Sequence, residues 1–228
     1  TTTNTYNTAV GYNAGTSVSS GTRNTFIGGL AGDANQTTSF NVAVGSYALT
    51  TMSGGGYNTA VGDYALGQTT TGSSLVAVGQ GALQQNTTGT ANIGIGQAAG
   101  AYITTGVRNI IIGATAGDAI TTGRDNIAIG YLALSNETKG DNNVAIGSHS
   151  LQTQNNTSNV DSYNTAVGYN TGYLMTTGVG NTLIGALAGD SITTAGYLTA
   201  VGYGALSAAT TGTIATAVGQ GALGSYTT

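Results

Sequence analysis

The chain is built on a recurring apolar triplet closed by glycine. It reads Thr-Ala-Val at residues 8–10, Val-Ala-Val at 42–44 and Ile-Ala-Ile at 127–129. The closing glycines are Gly11, Gly28, Gly45, Gly62, Gly79, Gly96, Gly113, Gly130, Gly147, Gly168, Gly185, Gly202 and Gly219. Their spacing is 17 residues at every step except one of 21, between Gly147 and Gly168. A strict period in this range marks a solenoid or array. Residues 1–228 therefore read as one array of 13 copies, the long copy carrying an insertion around 154–161.

Relative to the closing glycine, position −1 is always Val or Ile, and position −3 is always Thr, Val or Ile. β-branched residues at alternate positions before a glycine predict a short strand. The Gly- and Thr-rich remainder is too poor in helix formers for a helix. Position −4 is Asn in ten copies, which predicts a ladder of side-chain amides along a turn. The fold class that follows is all-β: a parallel β-solenoid, or β-roll, of about 13 coils of 17 residues. Stacked at the ~4.8 Å spacing of paired strands, it forms a rod roughly 60 Å long.

Two further columns exchange volume. Position +4 is Leu in seven copies (Leu49, Leu66, Leu83, Leu134, Leu151, Leu206, Leu223), and all seven have Ala at −2. The other six copies have Gly at +4 and come in adjacent pairs, the second member carrying Phe26, Ile111 or Leu183 at −2. Conservation of volume places both columns in one packed space. Because both faces of the triplet are apolar, one face is expected to need a second protein surface. The expectation is a homotrimer, intertwined or side by side. The +4 leucines with Phe26, Ile111 and Leu183 then form the chain–chain interface near a threefold axis, and the −1 column is buried, so that Asp at Val61 or Val78 unfolds adjacent coils.

Composition narrows the function. There are 228 residues with no Cys, Pro or Trp, one His, 39 Gly and a net charge of −4. Only 5% of residues are charged, against about a quarter in ordinary globular domains. Periodicity sets the chain apart from a disordered linker of similar composition. Four scattered basic residues make no phosphate-binding patch, so nucleic acid is excluded as a partner. No apolar run approaches the ~20 residues of a membrane span, so no membrane insertion is expected. Neither end carries a polar capping segment, so the array is expected to be a piece of a longer fibre.

Candidate chemistry is sparse. His149 has no Cys or second His to share a metal. Asp33, Asp118 and Asp190 recur at one repeat position but lie several coils apart, too far for a carboxylate pair. Arg23 and Arg108 precede Asp33 and Asp118 and are candidates for surface or interchain ion pairs with them. No copy assembles nucleophile, base and oxyanion donors, so the chain reads as no enzyme, with no cofactor. Candidate glycan contacts are the places where the repeat breaks, Asn155, Asn156 and Asp161, together with nearby His149 and with Tyr131 and Tyr169, whose rings suit sugar faces. Thr at +8 in nine copies, Thr70 through Thr227, raises an ice-binding solenoid as an alternative. A partial hexapeptide match, "VGYNAL"-like, raises a hexapeptide-repeat acyltransferase more remotely.

The strings "NTAVGYNAG", "NVAVGSYAL", "NTAVGDYAL" and "NVAIGSHSL" resemble the head repeats of trimeric autotransporter adhesins. They look still more like the arrays of phage tail fibres and large bacterial surface proteins. The likeness covers the whole chain, although the 17-residue unit is longer than the usual autotransporter repeat. It implies a parallel β-roll, three chains about one axis, and an attachment role with possible surface glycans as partners. The location it implies is extracellular, at a cell surface or on a virion as a tail fibre.

Overall fold

The structure is a computed structural model and describes residues 5–225. Thirteen three-residue strands occur in order: β1 (Thr8–Val10), β2 (Thr25–Ile27), β3 (Val42–Val44), β4 (Thr59–Val61), β5 (Val76–Val78), β6 (Ile93–Ile95), β7 (Ile110–Ile112), β8 (Ile127–Ile129), β9 (Val144–Ile146), β10 (Thr165–Val167), β11 (Thr182–Ile184), β12 (Thr199–Val201) and β13 (Thr216–Val218). Each pairs in parallel with its sequence neighbours, in one sheet ordered β1 to β13. Every strand is the triplet at −3 to −1, as the repeat predicts. Equivalent positions sit in register, Thr8 on Thr25 and Ile110 on Ile127, and the long step keeps register by pairing Val144 with Thr165. The insertion around 154–161 is therefore accommodated without shifting the strand columns, with Gln154 and Asn156 buried and Asn155 exposed.

The interior is the finding that corrects the sequence reading. Position −2 points inward: Phe26, Ala43, Ile111 and Leu183 are fully buried within the single chain. So are Leu49, Leu66, Leu83, Leu134, Leu151 and Leu206 at +4, while Leu223, in the last coil, is 47% exposed. The two columns do share one packed space, but that space is the core of the coil and not an interface between chains. Side chains with no exposed surface have nothing to offer a partner. The −3 and −1 columns point outward and are half-exposed, Val61 and Val78 among them. The burial expected at Val61 and Val78 is therefore corrected: Asp there faces solvent or a neighbour rather than the core.

The backbone explains why +4 accepts only Leu or Gly. Leu49, Leu66 and Leu134 have φ of 51°, 52° and 54°, the left-handed region. Holding an L-residue there costs ~1–2 kcal/mol. Burying a leucine side chain gains about 1.5–3 kcal/mol, which offsets that cost. Where −2 supplies the volume, Gly removes the strain instead. A Cβ at Gly15 would lie 2.8 Å from the Phe26 ring, and one at Gly172 or Gly189 would meet Leu183 at 3.0 or 3.1 Å. The closing glycine is required more strictly: at Gly113 φ is +134° and a Cβ would lie 2.5 Å from the carbonyl oxygen of Gly130 in the next coil.

Hydrogen-bonded ladders run along the axis. From Asn24 to Asn181 the asparagines at −4 are buried, and their amides bridge adjacent coils. Asn109 accepts the backbone N–H of Asn126 at 3.1 Å through Oδ1 and donates from Nδ2 to Gly123 O at 2.9 Å. Leu75 and Leu198 interrupt the column, yet their N–H groups still donate to Asn58 and Asn181 Oδ1. A third interior column, at +7, has no sequence signature: Met52, Thr69, Asn86, Ile103, Glu137 and Gln154 all occupy it and are all buried.

Candidate functional site

The most regular surface is the outer face of the sheet. It carries two columns of β-branched side chains, and no charged residue occurs at −3 or −1 in any copy. β6, β7 and β8 present isoleucine in both columns (Ile93, Ile95, Ile110, Ile112, Ile127, Ile129), whereas β1, β2, β4 and β10–β13 present Thr at −3. The face is apolar at its centre and hydroxyl-bearing toward both ends. Ile27, Ile95 and Ile184 retain 38–40% exposure.

On the edge that follows the strands, the structure brings three of the predicted contact residues together. The His149 ring lies edge-on to Tyr131 at 5.4 Å and to Tyr169 at 6.1 Å between centroids. Tyr173, absent from the sequence-based set, joins them at 6.3 Å. His149 Nδ1 contacts Gln152 Oε1 at 2.8 Å, which fixes the ring on its left-handed corner at φ 59°. Tyr131 and Tyr169 remain more than half exposed. The cluster thus offers aromatic surface ringed by phenol and amide groups, a chemistry suited to the C–H faces and hydroxyls of a sugar. Tyr173 was legible only through stacking, because it sits four residues past Tyr169 on a different repeat position.

The insertion residues do not join this cluster. Asn156 is buried and serves Glu137, giving its backbone N–H to Oε1 at 3.0 Å and its amide to Oε2 at 2.9 Å. Glu137 Oε1 also accepts the N–H groups of Thr138, Lys139 and Gly140, and Oε2 accepts Gln154 Nε2. A fully buried carboxylate is tolerated because its lone pairs are all met by N–H donors. The insertion is thus built around a buried acid, and Asn156 is corrected from surface contact to internal ligand. Asn155 is exposed and accepts the Thr138 hydroxyl, while Asp161 is exposed and accepts Asn142 Nδ2. The negative charge of Asp161 raises the Tyr163 phenol above its usual pKa.

The edge that precedes the strands carries an axial stack. Arg23 lies 5.2 Å over the Phe40 ring, which stacks on Tyr57 at 4.8 Å. An open depression of about 380 Å³ lies beside this stack, bounded also by Thr37, Ser39 and Gly54–56. Farther along, Arg108 pairs with Asp125 at 2.6 Å and Arg124 with Asp141 at 2.9 Å. The arginine partners expected from the sequence are thus replaced: Arg23 meets a ring, and Arg108 meets the residue one coil above it. The hydrogen bond to Arg108 holds the Asp125 carboxyl below its ordinary range. Asp118 and Asp190 sit in half-buried positions where desolvation raises theirs.

The threonines at +8 form a ladder of their own. Thr70, Thr87, Thr104 and Thr121 each donate the side-chain hydroxyl to the backbone oxygen one coil on, at 3.0–3.1 Å. Their donors are used inside the protein rather than offered as a free hydroxyl array. Thr227 lies outside the described residues. Among the described residues no three His, Cys, Asp or Glu side chains converge as metal ligands, and no helix is long and apolar enough to cross a membrane. Comparison with protein-family models, curated proteins and solved structures finds no match to this chain.

Proposed function

We propose that the chain is a non-catalytic section of an extracellular or virion-borne fibre, which holds a recognition element away from its anchor and works as a parallel homotrimer. The observation that carries this reading is the unbroken axial continuity of the solenoid. The strands pair with their neighbours through all thirteen coils, and along most of that length asparagine amides and threonine hydroxyls also bond to the coil that follows. Each coil is held by its neighbours, so stiffness accumulates with length. Such a repeat suits a spacer, whereas a catalytic centre needs one place unlike the rest. The His149 cluster is the best-formed such place, and its exposed tyrosines suit contact with surface glycans rather than bond-making chemistry.

The test has two parts. Electron micrographs of the purified segment should show straight rods of uniform width, and a glycan array should show either no binding or binding lost in Tyr131→Ala and Tyr169→Ala. Flexible or compact particles contradict the fibre reading. Glycan binding indifferent to both tyrosine variants contradicts the assigned contact site, and turnover of a bound sugar contradicts a non-catalytic role.

A further inference from the structure

We infer that the open depression beside the Arg23–Phe40–Tyr57 stack is a binding site for a small organic anion, a carboxylate carried on a six-membered ring. It lies on the edge before the strands and is separate from the His149 cluster.

The repeat breaks at this place. Positions +9 to +11 of the third copy are Gly54, Gly55 and Gly56, and no other copy has glycine at all three. The commonest residue at +9 is Thr, and +11 carries a side chain in most copies. Removing both side chains opens a depression of about 380 Å³. That volume falls within the ~300–1,000 Å³ of small-molecule sites.

The backbone shows which group fits. The N–H at +11 has a preferred acceptor, a side-chain oxygen at +11 one coil on. Thr22 donates its N–H to Ser39 Oγ at 2.9 Å, and Arg124 donates its N–H to Asp141 Oδ1 at 2.7 Å. The second pair is a template for a carboxylate, because the Arg124 guanidinium also donates to Asp141 Oδ2 at 2.9 Å. One coil on from Ser39 stands Gly56, which offers no oxygen. A Cβ at Gly56 would lie 3.9 Å from Ser39 N, so a side chain rooted there would sit beside this N–H. Ser39 lines the depression, and its N–H meets no acceptor among the described residues. A ligand carboxylate takes that place.

Charge and shape agree. Arg108 and Arg124 are paired with aspartates, whereas Arg23 has no carboxylate partner among the described residues. No acidic side chain lines the depression. An exposed, unpaired guanidinium above Phe40 therefore draws an anion toward the Ser39 N–H. Both faces of the Phe40 ring are covered, by Arg23 and Tyr57, which leaves its edge for the ligand. Aromatic edges pack against flat rings, and the hydroxyls of Thr37 and Ser39 stand beside them.

The ring belongs to a sugar acid or an aromatic acid, and one titration separates them. Glucuronate, benzoate, glucose and acetate are each added to the isotope-labelled protein, and amide resonances are followed. Glucuronate or benzoate should shift the Ser39 amide, and the tighter of the two identifies the ring. Glucose should leave it in place, and acetate should bind more weakly than the better ring compound. Arg23→Gln should weaken binding roughly 10-fold, the loss of one charge-assisted contact. Gly54→Thr restores the usual +9 residue, and its Cβ meets nothing closer than Thr71 Cγ2 at 3.2 Å. It should therefore keep the melting temperature of the wild type while closing the depression and abolishing binding. Glucose acting as strongly as glucuronate overturns the carboxylate. Acetate binding as tightly as both ring compounds overturns the ring. No Ser39 shift with any carboxylate, or shifts that persist in Gly54→Thr, overturn the site. None of these outcomes bears on the fibre reading, which the micrographs test separately.

Discussion

Truncating one rung of the asparagine ladder should destabilise the rod far more than truncating an exposed asparagine. Asn109 is fully buried. Its Oδ1 accepts the N–H of Asn126 at 3.1 Å and its Nδ2 donates to Gly123 O at 2.9 Å. Asn109→Ala leaves both backbone groups buried and without those partners. Each orphaned group costs about 1–3 kcal/mol, so the pair costs about 2–6 kcal/mol. Asn92 Oδ1 is spared, because it still accepts the backbone N–H of residue 109 at 2.9 Å. Asn136, on the surface, provides the control, and Asn136→Ala should stay within about 0.5 kcal/mol of wild type. Thermal melts give the first reading: for a chain of this size 1 kcal/mol moves the midpoint by about 2–4 °C. The drop for Asn109→Ala is therefore at least about 4 °C. Hydrogen exchange should place the weakening in the coils carrying Asn92 to Asn143, since each coil leans on its neighbours. Equal melting of the two variants would refute the ladder as a source of stability.

Other consequences follow from the same columns. Gly113→Ala combines a φ of +134° with a Cβ 2.5 Å from Gly130 O, and it should cost several times the ~1–2 kcal/mol expected at Gly204, where φ is +62° and nothing lies within 4 Å; equal denaturant midpoints would contradict this. Phe26→Ala empties the core between Gly15 and Gly32 and should cost ~3–5 kcal/mol, by the same amount at every protein concentration; a loss that disappears on dilution would instead mark an interchain contact. Burial raises the Asp118 and Asp190 carboxyls above their unfolded values, so each destabilises the ionised folded protein, and its contribution improves as pH falls through the raised folded pKa. Asp118→Asn and Asp190→Asn should therefore raise the melting temperature at neutral pH, with the gain vanishing in acid, and a pH-independent change would point to another cause.

Strands, register and the amide ladder were legible because each rests on a residue type repeated at a fixed position. In most coils Asn at −4 bonds the same way, Oδ1 to the N–H 17 residues on and Nδ2 to the carbonyl 14 residues on, so its recurrence carried the geometry with it. The side of the strand that faces inward was not legible. The triplet is apolar on both faces, and the exchange between Leu83-like and Phe26-like residues proves a shared space without saying which side encloses it. The answer lies in backbone angles: a left-handed +4 turns its leucine under the strand, toward −2. The +7 column escaped notice because it admits Met, Ile, Thr, Asn and Glu alike. Glu137 had a faint signal, in that Gln154 follows it by one period and opens the insertion that also supplies Asn156. The His149 cluster was half legible, because Tyr131, His149 and Tyr169 lie one coil apart on adjacent corner positions, whereas Tyr173 reaches it only through the turn.

In a continuous solenoid, separation along the chain converts to axial distance at a fixed rise per coil. Nitroxide pairs on the corner just after the strands test it directly by pulsed electron–electron double resonance, with labelled chains diluted in unlabelled ones. Labels at Tyr12 and Tyr131 stand seven coils apart and should give about 34 Å, and labels at Tyr12 and Tyr203 stand eleven coils apart and should give about 53 Å, both narrow, at ~4.8 Å per coil. Two similar distances, or broad distributions that grow with the square root of separation, would contradict a continuous solenoid.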